Sequence, residues 1–331
     1  MSNETALSPV RSFSRGHAGI LALKIGVTVL CFWYLFQHLN VAELRRTLPG
    51  FEFRWAVPAV LLLMLQIPLM SLRWLEIVRV LKMRDRPTYL WMSAATAIGL
   101  FFGQILPLIA GDGLRMWFFT QFGGNWRDAA MSVTIDRCVG VGLLLVFSFA
   151  ILLLPSSLGL FGGHRGDVIV TLGAALLVGV IVLVSGARLL PAFAERRYVK
   201  WAADFFTSAH SVVFGPRSVA VLGIGCFIHL LTIASVWSLG HAQDMALSPT
   251  DAAVLFAVMV GVTLFPFSVG GWGLREFAMV ALFGNYGLTP ERALVFSMCF
   301  GLACIVASLP GAVVWFGLLL QRPTRLPRSP R

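Results

Sequence analysis

The chain has 331 residues, of which 58% are hydrophobic and only 12% charged, and its mean hydropathy is +0.83. This excludes an ordinary soluble domain, because apolar runs of roughly 17–25 residues, long enough to cross a bilayer, recur from end to end. The net charge of +11 lies in short segments between those runs without any nucleic-acid-reading motif, so it reads as membrane orientation and anionic-lipid contact.

In chain order, Arg11, Arg15 and Lys24 precede or open an apolar run over 18–38. The run is long and has no small-x-small cleavage site, which favours an uncleaved first span over a signal peptide. A second span covers 55–72, with Pro58 and Pro68 expected to kink it. The segment 73–88 is densely basic (Arg73, Arg79, Lys82, Arg84, Arg86) and reads as a connection outside the membrane. An apolar helix over 89–106 then stops at the broken stretch Leu106-Pro107-Leu108-Ile109-Ala110-Gly111-Asp112-Gly113-Leu114-Arg115. A short helix follows over about 114–122, a turn at Gly123-Gly124, a long span over 128–154 closed by Pro155, and another over 167–187.

The longest polar segment, 188–217, holds Arg188, Arg196, Arg197, Lys200 and Arg217. Its Trp201, Phe205 and Phe206 predict an amphipathic helix lying on the membrane surface. A span over 218–240 leads through a short loop with Asp244 and Asp251 to an apolar helix over 252–269. That helix ends at a second broken stretch, Phe265-Pro266-Phe267-Ser268-Val269-Gly270-Gly271-Trp272-Gly273-Leu274-Arg275-Glu276. A short helix over 274–284, a last span over 292–320 and a basic tail over 321–331 complete the chain.

The two broken stretches repeat one device. Pro107 and Pro266 end a helix, the glycines Gly111, Gly113, Gly270, Gly271 and Gly273 loosen the backbone, and Arg115 and Arg275 fall in the first turn of the next helix. A helix of about 10 residues covers roughly 15 Å, half of a hydrocarbon core near 30 Å, so it returns to the face it came from. Read as re-entrant hairpins, the breaks leave the basic segments 11–24, 73–88, 188–217 and 321–331 and Arg127 on the cytoplasmic side. Arg45, Arg46, Arg54, Arg165 and Arg292 then lie outside, as the positive-inside rule requires. The expected fold is an all-α polytopic membrane protein of about six full spans plus two re-entrant helical hairpins. It forms a single transmembrane domain over 1–331 in the cytoplasmic membrane, with both termini cytoplasmic. The hairpins enter from opposite faces, making 18–155 and 167–320 an inverted repeat.

Irregular backbone and fixed charge inside an apolar run are costly unless they line a cavity or are buried in protein. Two half-helix N-termini, each with an arginine, suit an anion, and arginine suits phosphate because its planar fork donates two parallel hydrogen bonds. Arg137, about ten residues into its span, adds a third cation roughly 15 Å deep. Asp112, Asp136 and Glu276 would partly neutralise the cluster when no anion is bound. The same residues have a structural use: Asp112–Arg115, Asp136–Arg137 and Arg275–Glu276 can cross-pair to lock hairpins against spans. The five cysteines and six histidines show no metal spacing, His229 reads as a hydrogen-bonded core residue, and neither metal nor cofactor is expected.

At these residues the chain resembles a known family. Leu106-Pro-x-x-x-Gly-Asp-x-x-Arg115, Asp136-Arg137 and Pro266-x-x-x-Gly-Gly-x-Gly-x-Arg-Glu276 resemble the membrane half of lysylphosphatidylglycerol synthases. They equally resemble stand-alone flippase-like membrane proteins that share that half, including members linked to hopanoid and archaeal glycolipid pathways. The resemblance covers roughly 15–320. It implies translocation or handling of an anionic membrane lipid, with Arg115, Arg275, Arg137, Asp112, Asp136 and Glu276 at the headgroup and lipid-biosynthesis enzymes as possible partners. No stretch is polar enough for the family's aminoacyl-transferring domain, so synthase activity does not follow. By internal alignment Asp136-Arg137 fall on Phe300-Gly301, where relatives often carry another arginine, so the second half-site is less charged. The alternatives are a membrane transferase with Asp112 or Asp136 as base, and a non-transporting scaffold of a lipid-synthesis complex.

Overall fold

A chain this apolar must satisfy its backbone within helices, because lipid offers no hydrogen bonds. In a computed structural model the described residues are 50–83, 87–105, 108–154, 165–263, 271–283 and 289–320, together with 26, 29, 30, 33 and 37. The first span as a whole, Pro107, Pro155, Pro266, Gly270 and the basic tail lie outside them. The described helices are α1 (Phe53–Val80), α2 (Tyr89–Ile105), α3 (Leu108–Gln121), α4 (Trp126–Leu153) and α5 (Arg165–Leu189). After a 3-10 turn at Leu190–Phe193 follow α6 (Arg197–Phe214), α7 (Ser218–Ala242), α8 (Pro249–Thr263), α9 (Leu274–Phe283) and α10 (Pro290–Leu320). Among the described residues α1, α4, α5 with its 3-10 turn, α7 and α10 are long and apolar enough to cross a membrane. The protein is therefore a polytopic helical membrane protein.

Two boundaries differ from expectation. The second span does not end at 72: α1 continues to Val80 and takes in the start of the basic segment. The basic residues are accommodated rather than expelled, since Arg73 is buried against Asp136 and Arg79 pairs with Glu76. The helix ends at Val80, and two residues on Lys82, with a φ of +51°, turns the chain away from it. The short helix expected over 114–122 is also longer, because α3 begins at Leu108. Gly111, Gly113 and Arg115 thus belong to the helix body, and Arg115 is not in its first turn. At 14 residues, or about 21 Å, α3 is still shorter than a hydrocarbon core near 30 Å.

α2 and α3 form an antiparallel hairpin. Trp91 at its start donates to the Phe118 carbonyl near its end (2.9 Å), and the Trp91 ring meets Phe118 and Phe122. Glycines close the hairpin as small residues do in membrane helix pairs. Gly111 lies on Gly99 and Gly103, and a Cβ on Gly111 would sit 2.3 Å from the Gly99 carbonyl oxygen.

α1 and α7 run antiparallel along the centre of the bundle. At one end the Glu52 N–H donates to the Ala242 carbonyl (2.7 Å), with Ser238 on the Trp55 carbonyl and Ser235 on the Ala59 carbonyl. At the other end Arg217 pairs with Glu76 (3.0 Å). The packing then follows a reciprocal pattern: α1 on α2 and α7 on α8, α3 on α4 and α9 on α10, α2 on α10 and α8 on α4. Two apolar cores result, one at each end of α1. Ala59 and Leu63 join the core of α8, α9 and α10, while Trp74, Ile77 and Val78 join that of α2, α3 and α4.

α6 fits the amphipathic helix foreseen for the polar segment, burying Ala203, Ala209 and Val212 and exposing Tyr198, Trp201 and Phe214. Arg127 pairs with Asp204, which ties α6 to the start of α4.

Candidate functional site

The first charge cluster is built by three helices that each bring charge to one level. Asn125 caps α4, its side chain accepting from the Asp128 N–H (2.8 Å), and ten residues on from Trp126, the first residue of the helix, about 15 Å along the axis, stands Asp136. Asp136 is fully buried. One of its carboxylate oxygens accepts from Arg73 Nε of α1 (2.8 Å) and the other from Arg115 Nη2 of α3 (3.0 Å). Its neighbour Arg137 points elsewhere and grips Asp112 with both arms of the guanidinium, Nε to Oδ2 at 2.8 Å and Nη2 to Oδ1 at 2.7 Å. Arg115 also stands 3.5 Å from Asp112 and closes the chain of charges. Asp112 and Arg115 share a face of α3 because they are three residues apart.

Three guanidinium groups thus meet two carboxylates, and the cluster carries a net positive charge. Its cations are further held by π density: Arg115 lies 4.4 Å over the Trp74 ring, whose Nε1–H donates to Ser132 (3.2 Å). Gly99 makes room for the Arg115 side chain, since a Cβ there would meet its Cγ at 2.7 Å. Arg115 Nε is buried with no hydrogen-bond partner among the described residues. The open edge is at Arg137, whose side chain is 35% exposed, while that of Asp112 is 15% exposed.

The second charge group is closed and neutral. Gly271 and Gly273 both have φ of +83°, a left-handed backbone that glycine adopts without strain. The turn they make delivers Arg275 and Glu276 to the first turn of α9, as expected from the sequence. Glu276 accepts from the Gly273 N–H (2.7 Å), capping its own helix, and from Arg275 (2.7 Å). Ser297 of α10 accepts from Arg275 and donates to Glu276, both at 3.0 Å. Arg275 sits against the Trp272 and Phe300 rings at 5.1 and 5.8 Å. Gly301 lets it in, because a Cβ there would come within 2.3 Å of Arg275 Nη2. Phe300-Gly301 therefore touch Arg275 as Asp136 touches Arg115.

Of the residues singled out in the sequence, Asp112, Arg115, Asp136 and Arg137 come together, while Arg275 and Glu276 form a separate group. The acids pair across elements in the first group: Asp136 meets Arg115 and Arg73, and Asp112 meets Arg137. Arg73 is the residue that sequence reasoning misplaced, and it needs correcting: it is a buried member of the cluster within α1, not part of an exposed connection between helices. Its signal was the apolar set Trp74, Leu75, Ile77 and Val78, which continues the helical pattern of the span past 72. Gly99-x-x-x-Gly103 was a second unread signal, marking where α3 approaches. Ser297 carried none.

The sequence profile of the family described as Lysylphosphatidylglycerol synthase TM region matches residues 21–311. No curated protein matches the chain.

Proposed function

This chain belongs to the lysylphosphatidylglycerol synthase transmembrane-region family, and from that membership, which implies a membrane lipid-related function, we propose that it moves an anionic lipid between leaflets. The observation that carries the reading is the net-positive cluster of Arg73, Arg115, Arg137, Asp112 and Asp136, buried about 15 Å along α4 and open at Arg137. A lipid phosphate presents the same two-oxygen fork to Arg137 that Asp112 does. Exchanging carboxylate for phosphate keeps the number of charge-assisted bonds, so the headgroup enters without leaving Arg137 unpaired. Arg115, already 3.5 Å from Asp112, holds the released carboxylate.

Alternating access needs two related halves, and the packing supports an inverted repeat. Exchanging α1–α4 with α7–α10 maps each pair of packed helices onto another packed pair. α1 and α7 would be partners under that exchange and they run antiparallel, so the axis relating them lies across the helices, in the membrane plane. The two hairpins pack at opposite ends of α1, as re-entrant hairpins entering from opposite faces would. On this reading the ends of α1 and α7 joined by Arg217–Glu76, and those of α4 and α6 joined by Arg127–Asp204, face the cytoplasm, in the cytoplasmic membrane with both termini inside. Single cysteines at 124 and 204 should label from the cytoplasmic side and one at 246 from outside; labelling of 124 and 204 from opposite sides would overturn the topology.

A specific observation favours a second reading, in which the protein is a scaffold for lipid-synthesis enzymes. The Arg275–Glu276–Ser297 group is neutral, buried and hydrogen-bonded within itself, as a purely structural lock would be. A transferase is less favoured, since it needs Asp112 or Asp136 as base and arginines engage both.

Leaflet-resolved lipid assays in reconstituted vesicles separate these readings. Arg137→Gln removes charge-assisted bonds worth roughly 1.5–3 kcal/mol, so translocation should fall by about one to two decades while folded yield is largely kept. Arg137→Lys, with the charge but not the fork, should fall between. Wild-type protein that moves no lipid, or an Arg137→Gln variant as fast as wild type, would sink the transport reading.

A further inference from the structure

Behind the Arg137 edge, three hydrogen-bond donors of the α2–α3 hairpin are buried with no partner among the described residues: Arg115 Nε, Thr96 Oγ1 and Ser93 Oγ. Arg115 is 2% exposed and Thr96 is fully buried. A serine or threonine inside a helix often turns its hydroxyl back to a carbonyl three or four residues earlier. Ser71, Thr120, Ser148 and Thr232 do so here, on the carbonyls of Ile67, Trp117, Leu144 and Ile228. Thr96 and Ser93 do not, so their hydroxyls are aimed away from the carbonyls of α2. In the hairpin Gly99 lies against Arg115 and Gly111, and Trp91 against Phe118 and Phe122, which puts Thr96 between these contacts at the level of Arg115. Thr96 shares a stripe of α2 with Gly99 and Gly103, the side that α3 covers, and Ser93 stands one turn before it on that stripe.

Charge decides what joins these donors. Arg115 Nη2 bonds to Asp136 and Nη1 stands near Asp112, so Nε is the arm left over, and an arginine Nε only donates. Three guanidinium groups against two carboxylates leave one positive charge without a counter-charge, in a group that is mostly buried. A buried charge in that state is costly. We infer that Arg115 Nε and Thr96 Oγ1, with Ser93 Oγ one turn away, hold a single small inorganic anion of the chloride class. A water molecule would take the hydrogen bonds and leave the charge. A phospholipid headgroup would have to bring its acyl chains to residues this closed, so a monatomic ion is selected. The site uses donor atoms that neither Asp112 nor Asp136 touches, and it does not depend on transport.

The test is thermal unfolding of the full chain in detergent without added lipid, in sodium chloride against sodium gluconate at one ionic strength. An anion that binds only the folded protein raises its melting temperature as the anion concentration passes the dissociation constant. Wild type should therefore melt higher in chloride, and in bromide, than in gluconate. Thr96→Val keeps the shape of the side chain and removes its donor. It should fold, match or exceed wild type in gluconate, and need about tenfold more chloride for the same gain. Thr96→Ser loses the methyl and keeps the donor, so it should retain the chloride response; a packing role for Thr96 predicts the reverse. Crystals grown in bromide should show an anomalous peak between Thr96 and Arg115 that is absent in Thr96→Val. Equal melting of wild type in chloride and gluconate would overturn the site and leave water as the partner of these donors. So would a Thr96→Val variant with the wild-type chloride response, or bromide found at Arg137 alone.

Discussion

Asp136→Asn is expected to reduce the yield of folded protein more than any other single change in the bundle, by at least tenfold. Asp136 is the one acceptor shared by Arg73 and Arg115, and all three side chains are at least 94% buried. Removing one partner of a buried ion pair costs about 3–5 kcal/mol because the other charge stays buried without compensation. Here two guanidinium groups are stranded at once. Arg115 retains Asp112 at 3.5 Å, but Arg73 has no second carboxylate in the cluster. Combining Asp136→Asn with Arg73→Gln should therefore recover much of the yield. A double-mutant cycle of Arg115→Gln with Asp136→Asn should show strong coupling, and one of Arg115→Gln with Asp112→Asn should show less. Size-exclusion profiles of the solubilised protein read both. A monodisperse Asp136→Asn variant at wild-type yield would mean that the cluster does not hold the helices together.

Gly111→Val should abolish function and cost most of the folded protein, whereas Gly113→Val, two residues along the same motif, should be tolerated. A Cβ on Gly111 meets the Gly99 carbonyl oxygen at 2.3 Å and Gly103 Cα and N at 3.2 Å. These are backbone atoms, so no rotamer change relieves the clash and α2 must separate from α3. Overpacking that forces backbone shifts costs about 1–3 kcal/mol, and separating the hairpin also moves Arg115 away from Asp136. A Cβ on Gly113 meets nothing within 4 Å, and valine is no worse a helix former than glycine. The pair thus separates close approach from backbone freedom, because both glycines lie inside α3 and neither has a positive φ. Equal tolerance of both substitutions, in folded yield and in lipid translocation, would show that the hairpin does not depend on close contact at Gly111.

The outcome at these glycines shows where sequence reading stopped. Gly111 and Gly273 look alike in the sequence, each lying between a proline and an arginine of its stretch. Gly273 is needed for its φ of +83°, Gly111 for the space it leaves on α2, and only coordinates distinguish the two. The second span was likewise ended at 72 because a run of arginines normally marks the membrane edge. Arg73 breaks that expectation because Asp136, 63 residues away, accepts its hydrogen bond. The sites of Arg275 and Glu276 were more legible. The turn that places them is local, and glutamate at the third helical position caps its own helix.

What the sequence determined by itself is what depends on local composition: that the chain spans a membrane, where long apolar helices lie, that short helices stand at the two proline-glycine stretches, and that α6 is amphipathic. These follow from hydropathy and period because each helix satisfies its own backbone and faces lipid on its own account. What only the tertiary structure decided is which charges meet. Adjacent residues on a helix point about 100° apart, so Asp136 reaches α1 and α3 while Arg137 turns to Asp112. That choice is set by the rotation and approach of three helices, which the close contact at Gly99, Gly103 and Gly111 permits. No single segment of the sequence encodes it.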